Sequence, residues 1–272
     1  MIHLFALLSL LLCGVCYTGF QNSSHFHNTG NRRSLLFLVF GGALLLRLLL
    51  AYTTHGFSND IACFAAWADR IFTLGPGQFY SAEMFTDYPP GFMYVLYLIG
   101  ALRSLLQIPY YSDLHILLLK LPAILCDIAC GFLLHREAVK RLHFSDLQGI
   151  FAASAYLFQP AVILNSSCWG QVDSVYTLMI ILMCLFLMKG NLLPAYAVYG
   201  LGVLLKPQML IFTPVLLTGI WDHVFLQDFS WRKFFYNLCG GLVVICGMLL
   251  LCAPFGLTAA ISQYTSTLGS YE

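Results

Sequence analysis

Three stretches of this 272-residue chain, 34–54, 114–134 and 234–254, are each 21 residues of almost unbroken apolar side chains. A helix needs a run of about 20 such residues to cross the hydrocarbon of a bilayer. Lipid offers the backbone no hydrogen bonds, so segments like these fold as helices or as closed barrels. Barrel strands would alternate apolar and polar residues over about ten positions, whereas these runs are continuous. Shorter apolar runs at 3–20, 148–164, 174–189, 191–205 and 209–221 bring the expected total to about eight spans. The fold class that follows is all-α, a polytopic transmembrane helical bundle. Only 9% of residues are charged, against about a quarter in a soluble domain, which excludes an ordinary soluble protein. There is no basic tract, so nucleic acid is not an expected partner. Of the ten cysteines, Cys126, Cys130, Cys184, Cys239, Cys246 and Cys252 sit in or beside apolar runs and read as small core residues. They lack the partners a zinc site requires.

Charge sets the topology. Residues 1–33 read as an uncleaved hydrophobic helix and a polar linker, 34–254 as the transmembrane module, and 255–272 as an external tail. The positive-inside rule puts Arg32 and Arg33 in the cytoplasm, so the run 34–54 delivers Asp60 to the other side. From Ile61 to Leu74 the apolar spacing is helical, yet the segment is too short and polar to span; a helix lying on the membrane surface is expected. Residues 91–106 have two readings. As a span they would carry His135, Arg136, Lys140 and Arg141 outside, against the charge rule. As a second surface or re-entrant helix they leave those cations inside, and this reading is adopted. Lys189, Arg232 and Lys233 then also fall inside, while Asp60, Asp87, Asp173, Lys206 and Gln208 all fall on the non-cytoplasmic side.

Each polar interruption has a plain reading and a chemical one. Asp60 is either a carboxylate at a helix start, where negative charge is mildly favoured, or a general base for an acceptor hydroxyl. In Asp87-Tyr88-Pro89-Pro90 the prolines make a stiff extended segment, or simply a helix start. The knot Asn165 to Asp173 is a polar turn with Asp173 capping the next helix, or a sugar-holding loop built on Trp169, Gln171 and Asp173. Lys206-Pro207-Gln208 breaks an apolar stretch; Lys206 either snorkels to the interface or meets a lipid phosphate. Arg47, Lys120 and Asp127 lie inside predicted spans, where structural ion pairing is the expectation.

Taken together, these motifs resemble the GT-C class of multi-spanning glycosyltransferases, and among them the GPI mannosyltransferase II-like proteins. The residues that carry the resemblance are Ser58-Asn59-Asp60, Asp87-Tyr88-Pro89-Pro90, Leu157-Phe158-Gln159-Pro160, Trp169-Gly170-Gln171-Val172-Asp173-Ser174 and Leu205-Lys206-Pro207-Gln208. The resemblance implies a polyprenyl- or dolichyl-phosphate hexose donor, most readily mannose, and a glycan, lipid or protein acceptor. It makes Asp60 the catalytic base, with Asp87 assisting, and gives Lys206 the donor phosphate. Tyr88, Trp169, Gln171, Asp173 and Gln208 would contact substrate. A divalent cation (Mg or Mn) is an optional companion of the phosphate, and no other cofactor is expected. Since the resemblance covers the N-terminal portion of such enzymes, a longer protein or a partner chain completing the bundle is also expected. The location implied is a bacterial cell membrane, with the endoplasmic reticulum as the alternative; Asn22 and Asn165 begin sequons only in the latter. Two other readings stay open at this point: a transporter lined by Arg47, Lys120 and Asp127, and a catalytically silent subunit of a larger assembly.

Overall fold

A computed structural model describes residues 10, 11, 14, 15, 17–19, 32–80, 85–227 and 229–262. The expected first helix at 3–20, the linker after it and much of the C-terminal tail lie largely outside the described residues. Within them the chain is helical, with no strand. In order come α1 (Arg32–Thr53), α2 (Ser58–Leu74), α3 (Pro90–Leu105), α4 (Asp113–Lys140), α5 (Asp146–Leu157), α6 (Pro160–Ile163, continued by a π-turn over Leu164–Trp169), α7 (Asp173–Met188), α8 (Leu192–Leu205), a 3-10 segment Pro207–Phe212, α9 (Thr213–Trp221) and α10 (Trp231–Cys252). Among the described residues four helical stretches are long and apolar enough to cross a membrane: α1, α4, Pro207–Leu226 and Trp231–Phe255. The bent pair α5–α6 makes a fifth if counted as one span, and α3, α7 and α8 are apolar but shorter. The architecture is an all-α polytopic membrane bundle.

Helices divide into two compact units, residues 1–61 with 111–174, and 62–110 with 175–272. In the first, α1, α4 and α5 pack around Ala43, Ala153 and Leu157, all three without solvent exposure. Small residues set the spacing: a Cβ on Gly131 of α4 would stand 2.6 Å from Leu157 Cγ. Between these helices lies a buried polar group. Arg47 donates from Nε to Asp127 at 3.2 Å, both side chains fully buried, and Tyr156 donates its hydroxyl to the other carboxylate oxygen at 3.2 Å. The predicted ion pairing thus holds for Arg47 and Asp127. Lys120 departs from it, as described below.

The run 148–164, expected as one span, is broken. Helix α5 stops at Leu157 and α6 restarts at Pro160, turned by 51°. Proline has no N–H and its ring crowds the preceding turn, which favours a kink or a break; α4, by contrast, runs on through Pro122. The break orphans backbone carbonyls at the end of α5. Arg47 takes one of them, donating from Nη2 to Leu157 O at 2.7 Å. An apolar-run count cannot see this, because Gln159-Pro160 interrupts hydrophobicity only slightly.

In the second unit, the predicted apolar face of α2 is the buried one: Phe64, Ala65, Ala68 and Ile71 are all at most 2% exposed. Asp69 and Arg70, on the polar side of the same helix, are half-buried ties. Asp69 pairs with Arg103 of α3, and Arg70 donates to Phe79 O and Gln78 O at 2.9 and 3.0 Å. Gly100 lets α3 lie against α2, since a Cβ there would meet Ala68 O at 2.4 Å. A second core gathers Met183, Ala195, Tyr196, Met209 and Leu216 from α7 to α9. The described cysteines are free; Cys130 is buried as a core residue would be, whereas Cys239 and Cys246, also expected in the core, are exposed on α10, which buries few residues.

Candidate functional site

Asp60 lies in the first turn of α2, a position where the helix dipole favours a negative charge. The chain reaches it through a short loop that is fastened at several points. Helix α1 ends at Thr53, and Thr54 turns its hydroxyl back to Leu50 O at 2.7 Å. Gly56 then takes φ +81°, a left-handed conformation that a side chain would resist, and a Cβ there would stand 2.7 Å from Trp169 O. This close approach allows Phe57 N–H to donate to Trp169 O at 2.8 Å. Gly170, at φ +89°, faces the same crowding from the other side, 2.5 Å from Ile61 Cδ1. The two glycines let the loop before α2 and the π-turn after α6 lie against each other.

The consequence is a defined environment for one carboxylate. Trp169 Nε1 donates to Asp60 Oδ2 at 3.2 Å, and Gln171 Nε2 donates to the same oxygen. Oδ1 accepts no hydrogen bond among the described residues, and the side chain is half-buried. Two donors on one oxygen fix the orientation of the group and leave the other oxygen open. The π-turn is itself closed: Gly170 and Gln171 N–H both donate to Asn165 O, at 3.1 and 3.0 Å. Asn165 Nδ2 also donates to Asp173 Oδ2 at 2.9 Å, at the start of α7. The knot read from the sequence is therefore one folded unit, and it delivers Trp169 and Gln171 to Asp60. Asp173 is held by Asn165 in this arrangement.

Lys120 supports the whole. Fully buried in α4, it pairs with no carboxylate among the described residues. Its Nζ instead donates to Ala51 O (3.2 Å), Thr54 O (2.7 Å), Thr54 Oγ1 (3.1 Å) and Ser167 O (3.0 Å). The C-terminal end of α1 concentrates negative partial charge on its carbonyls, so a buried ammonium suits that position. One side chain thus ties the loop leading to Asp60 to the π-turn carrying Trp169. Replacing Lys120 by Met should destabilise the protein by about 3 kcal/mol, because buried carbonyls lose a charged donor. Lys120→Arg should recover part of that. Thermal unfolding in detergent measures both, and a Met variant as stable as the parent would rule the clamp out.

The second unit holds the other predicted residues. Pro89 is extended (φ −76°, ψ 167°) and Pro90 occupies the first turn of α3, so the stiff-segment and helix-start readings are both true. Tyr88 is 9% exposed and its ring packs against Phe64, Trp67 and Phe92 with centroids 5.1–5.7 Å apart. Over that ring stands Lys206 Nζ, 5.8 Å from the centroid, and Tyr176 contributes a second ring at 5.6 Å. Cation–π contact of this kind holds an ammonium without neutralising it. Lys206 itself is extended, between α8 and the 3-10 turn that Pro207 opens. Next to it Gln208 buries its Oε1 with no hydrogen-bond partner among the described residues, as does Thr86 Oγ1, one residue before Asp87. Asp87 is half-buried. Among the described residues no group of three His, Cys, Asp or Glu converges as a metal site would require, so no residue set is assigned to the optional divalent ion.

Sequence reasoning missed Tyr176 and the nature of the Lys120 contacts. A tyrosine three residues past Asp173 in an apolar helix carries no signal of its own. For Lys120, ion pairing predicts a carboxylate partner, and backbone carbonyls leave no trace in composition.

No curated protein matches the chain. The family model for glycosyltransferase family 87 matches residues 85–272, which takes in Asp87, Tyr88, the 165–173 turn, Lys206 and Gln208 and begins after Asp60. The motifs had pointed to the GPI mannosyltransferase II-like proteins; the family that matches is this one, and it carries the broader glycosyltransferase reading. The match spans more than half of the chain, which therefore belongs to glycosyltransferase family 87.

Proposed function

We propose that this membrane glycosyltransferase moves a hexose, with mannose the one to test first, from a polyprenyl- or dolichyl-phosphate donor to an acceptor hydroxyl on the non-cytoplasmic face of a bacterial cell membrane. The observation that carries the reading is the carboxylate of Asp60, oriented by two N–H donors on Oδ2 with Oδ1 open. A general base needs this combination: fixed aim, a free lone pair and partial burial. The acceptor O–H proton passes to Asp60 Oδ1 as the acceptor oxygen attacks the anomeric carbon. The bond from that carbon to the phosphate oxygen breaks, its electron pair leaves with the lipid phosphate, and the anomeric centre inverts. Lys206, a compact cation held over two rings, is suited to the charge that develops on the leaving phosphate. Gln208 and Thr86 offer buried polar atoms for sugar hydroxyls or phosphate oxygens. Asp87 is the second carboxylate, assigned to positioning the acceptor. No step is routed through a metal ion.

The test is transfer of radiolabel into the lipid, glycan or protein fraction of membranes containing the chain. Polyprenyl-phosphate mannose is expected to serve as donor, and a nucleotide-diphosphate mannose without lipid carrier is not. Lys206→Met should lower transfer by about 10²-fold, the scale of losing one charge-stabilising group. Equal transfer from the nucleotide sugar, with Lys206→Met unimpaired, would refute the donor assignment.

A further inference from the structure

The second unit carries a lipid-shaped site at the end of the bundle where α7 meets α8 and α9 meets α10. We infer that it binds an anionic glycerophospholipid, the phosphate in a basic polar cavity and one acyl chain in an apolar slot beside it. This site is separate from the residues assigned to transfer. Three cavities adjoin there. One, of about 430 Å³, is lined by Arg232, Lys233, His223 and Ser230; another, of about 680 Å³, shares Gly190 and His223 with it and adds Lys189 and Gln227. The third, of about 410 Å³, is almost wholly apolar, with Leu216, Gly241 and Met248 in its walls. Asn237 lines both this slot and the first basic cavity, so head and tail compartments meet at one residue.

Charge and depth both point to a lipid. Lys189, Arg232 and Lys233 are the fixed cations. Asp222 is the acid among the lining residues, and its carboxylate already accepts from Gln227 Nε2 at 2.7 Å; Asp228 lies outside the described residues. Lys233 Nζ donates to Gln227 O at 3.0 Å, which holds its ammonium at the cavity rim. Exposed Trp221, Trp231 and Tyr236 mark the level of a membrane–water interface, where such rings concentrate. The positive-inside rule makes this the cytoplasmic side, where the leaflet is negatively charged and basic pockets between spans take anionic headgroups. Helix α10 buries few residues against the rest of the protein, so the slot opens along a surface that faces hydrocarbon. A slot of this size suits one acyl chain, which is why a glycerophospholipid is preferred to a long polyprenyl phosphate.

Native mass spectrometry of the detergent-purified chain, titrated with phosphatidylglycerol and phosphatidylcholine of the same acyl chains, tests this. Phosphatidylglycerol should bind at least tenfold more tightly. The paired substitutions Arg232→Gln and Lys233→Gln should weaken it about thirtyfold, at roughly fivefold per cation, and leave phosphatidylcholine unchanged. Gly241→Phe, placed where an added Cβ meets nothing within 4 Å, should fill the slot and weaken both lipids. Equal binding of the two lipids, or phosphatidylglycerol binding indifferent to the double substitution, would overturn the site. So would polyprenyl phosphate displacing phosphatidylglycerol in a manner that needs Arg232 and Lys233. None of these readouts depends on sugar transfer, so the site stands or falls independently of the proposed reaction.

Discussion

Asp60→Asn is expected to reduce sugar transfer by about 10²–10⁴-fold, the range over which a positioned general base acts. The substitution is close to isosteric. Its amide oxygen can still accept from Trp169 and Gln171, so the loop and the π-turn keep their contacts. What disappears is the lone pair on the second oxygen, replaced by an N–H₂ group that cannot take a proton. Binding should therefore survive while the chemical step fails, and kcat should fall with KM little changed. Asp60→Glu keeps the base but moves it by one methylene, so an intermediate loss is expected. Gln171→Ala should cost less than either, because Trp169 still orients the carboxylate. Initial rates with a labelled lipid-phosphate sugar measure all three. Transfer at the parent rate by a folded Asp60→Asn protein would remove Asp60 from the chemistry and make Asp87 the next carboxylate to replace.

The second large effect concerns stability. Asp127→Ala should cost about 3–5 kcal/mol, the usual penalty for stripping one partner from a buried ion pair. The guanidinium of Arg47 would remain fully buried, keeping its bonds to Ala43 O and Leu157 O but facing no counter-charge. The Tyr156 hydroxyl would lose its acceptor as well. Replacing both ions at once, Arg47→Met with Asp127→Leu, should be far milder than Asp127→Ala alone, since desolvation of both charges is relieved together. Thermal melting of the two variants in one detergent makes the comparison. A double variant as unstable as the single one would show that the pair stabilises the fold by more than mutual charge compensation.

Most of the helical frame could be read from the chain because membrane helices announce themselves. The run 34–54 became α1 and 114–134 became the centre of α4, each within a few residues, since lipid forces the apolar stretch and the helix to coincide. The buried face of α2 followed from its 3.6-residue period. Legibility fell where the backbone rather than the side chain decides. Pro160 sits in an otherwise apolar segment, and nothing in the hydrophobicity tells a kinked span from a straight one. At the site, charge and spacing bring the Asp60 stretch and the 165–173 knot to one membrane face, but the contact of Trp169 and Gln171 with Asp60 is not visible in the sequence. It depends on two glycines at positive φ and on the carbonyls that Lys120 collects. The aromatic seat of Lys206 was half legible: Tyr88 belonged to a recognisable motif, and Tyr176 did not.

The bend at Pro160 has a consequence for how this protein can change. Arg47 serves two masters, the carboxylate of Asp127 and the carbonyl that the bend sets free at Leu157. A descendant that lost Pro160 could straighten the segment and return that carbonyl to its own helix, and Arg47 would then be a buried cation with an acceptor too few. One that lost Arg47 first would keep the bend but leave the carbonyl without its donor and Asp127 with Tyr156 alone and no counter-charge. Substitutions at 47, 127 and 160 are thus coupled, each harmful alone and tolerable in company. Sequence drift at these three positions should proceed in concerted steps, and a lineage with one altered should carry a compensating change at another.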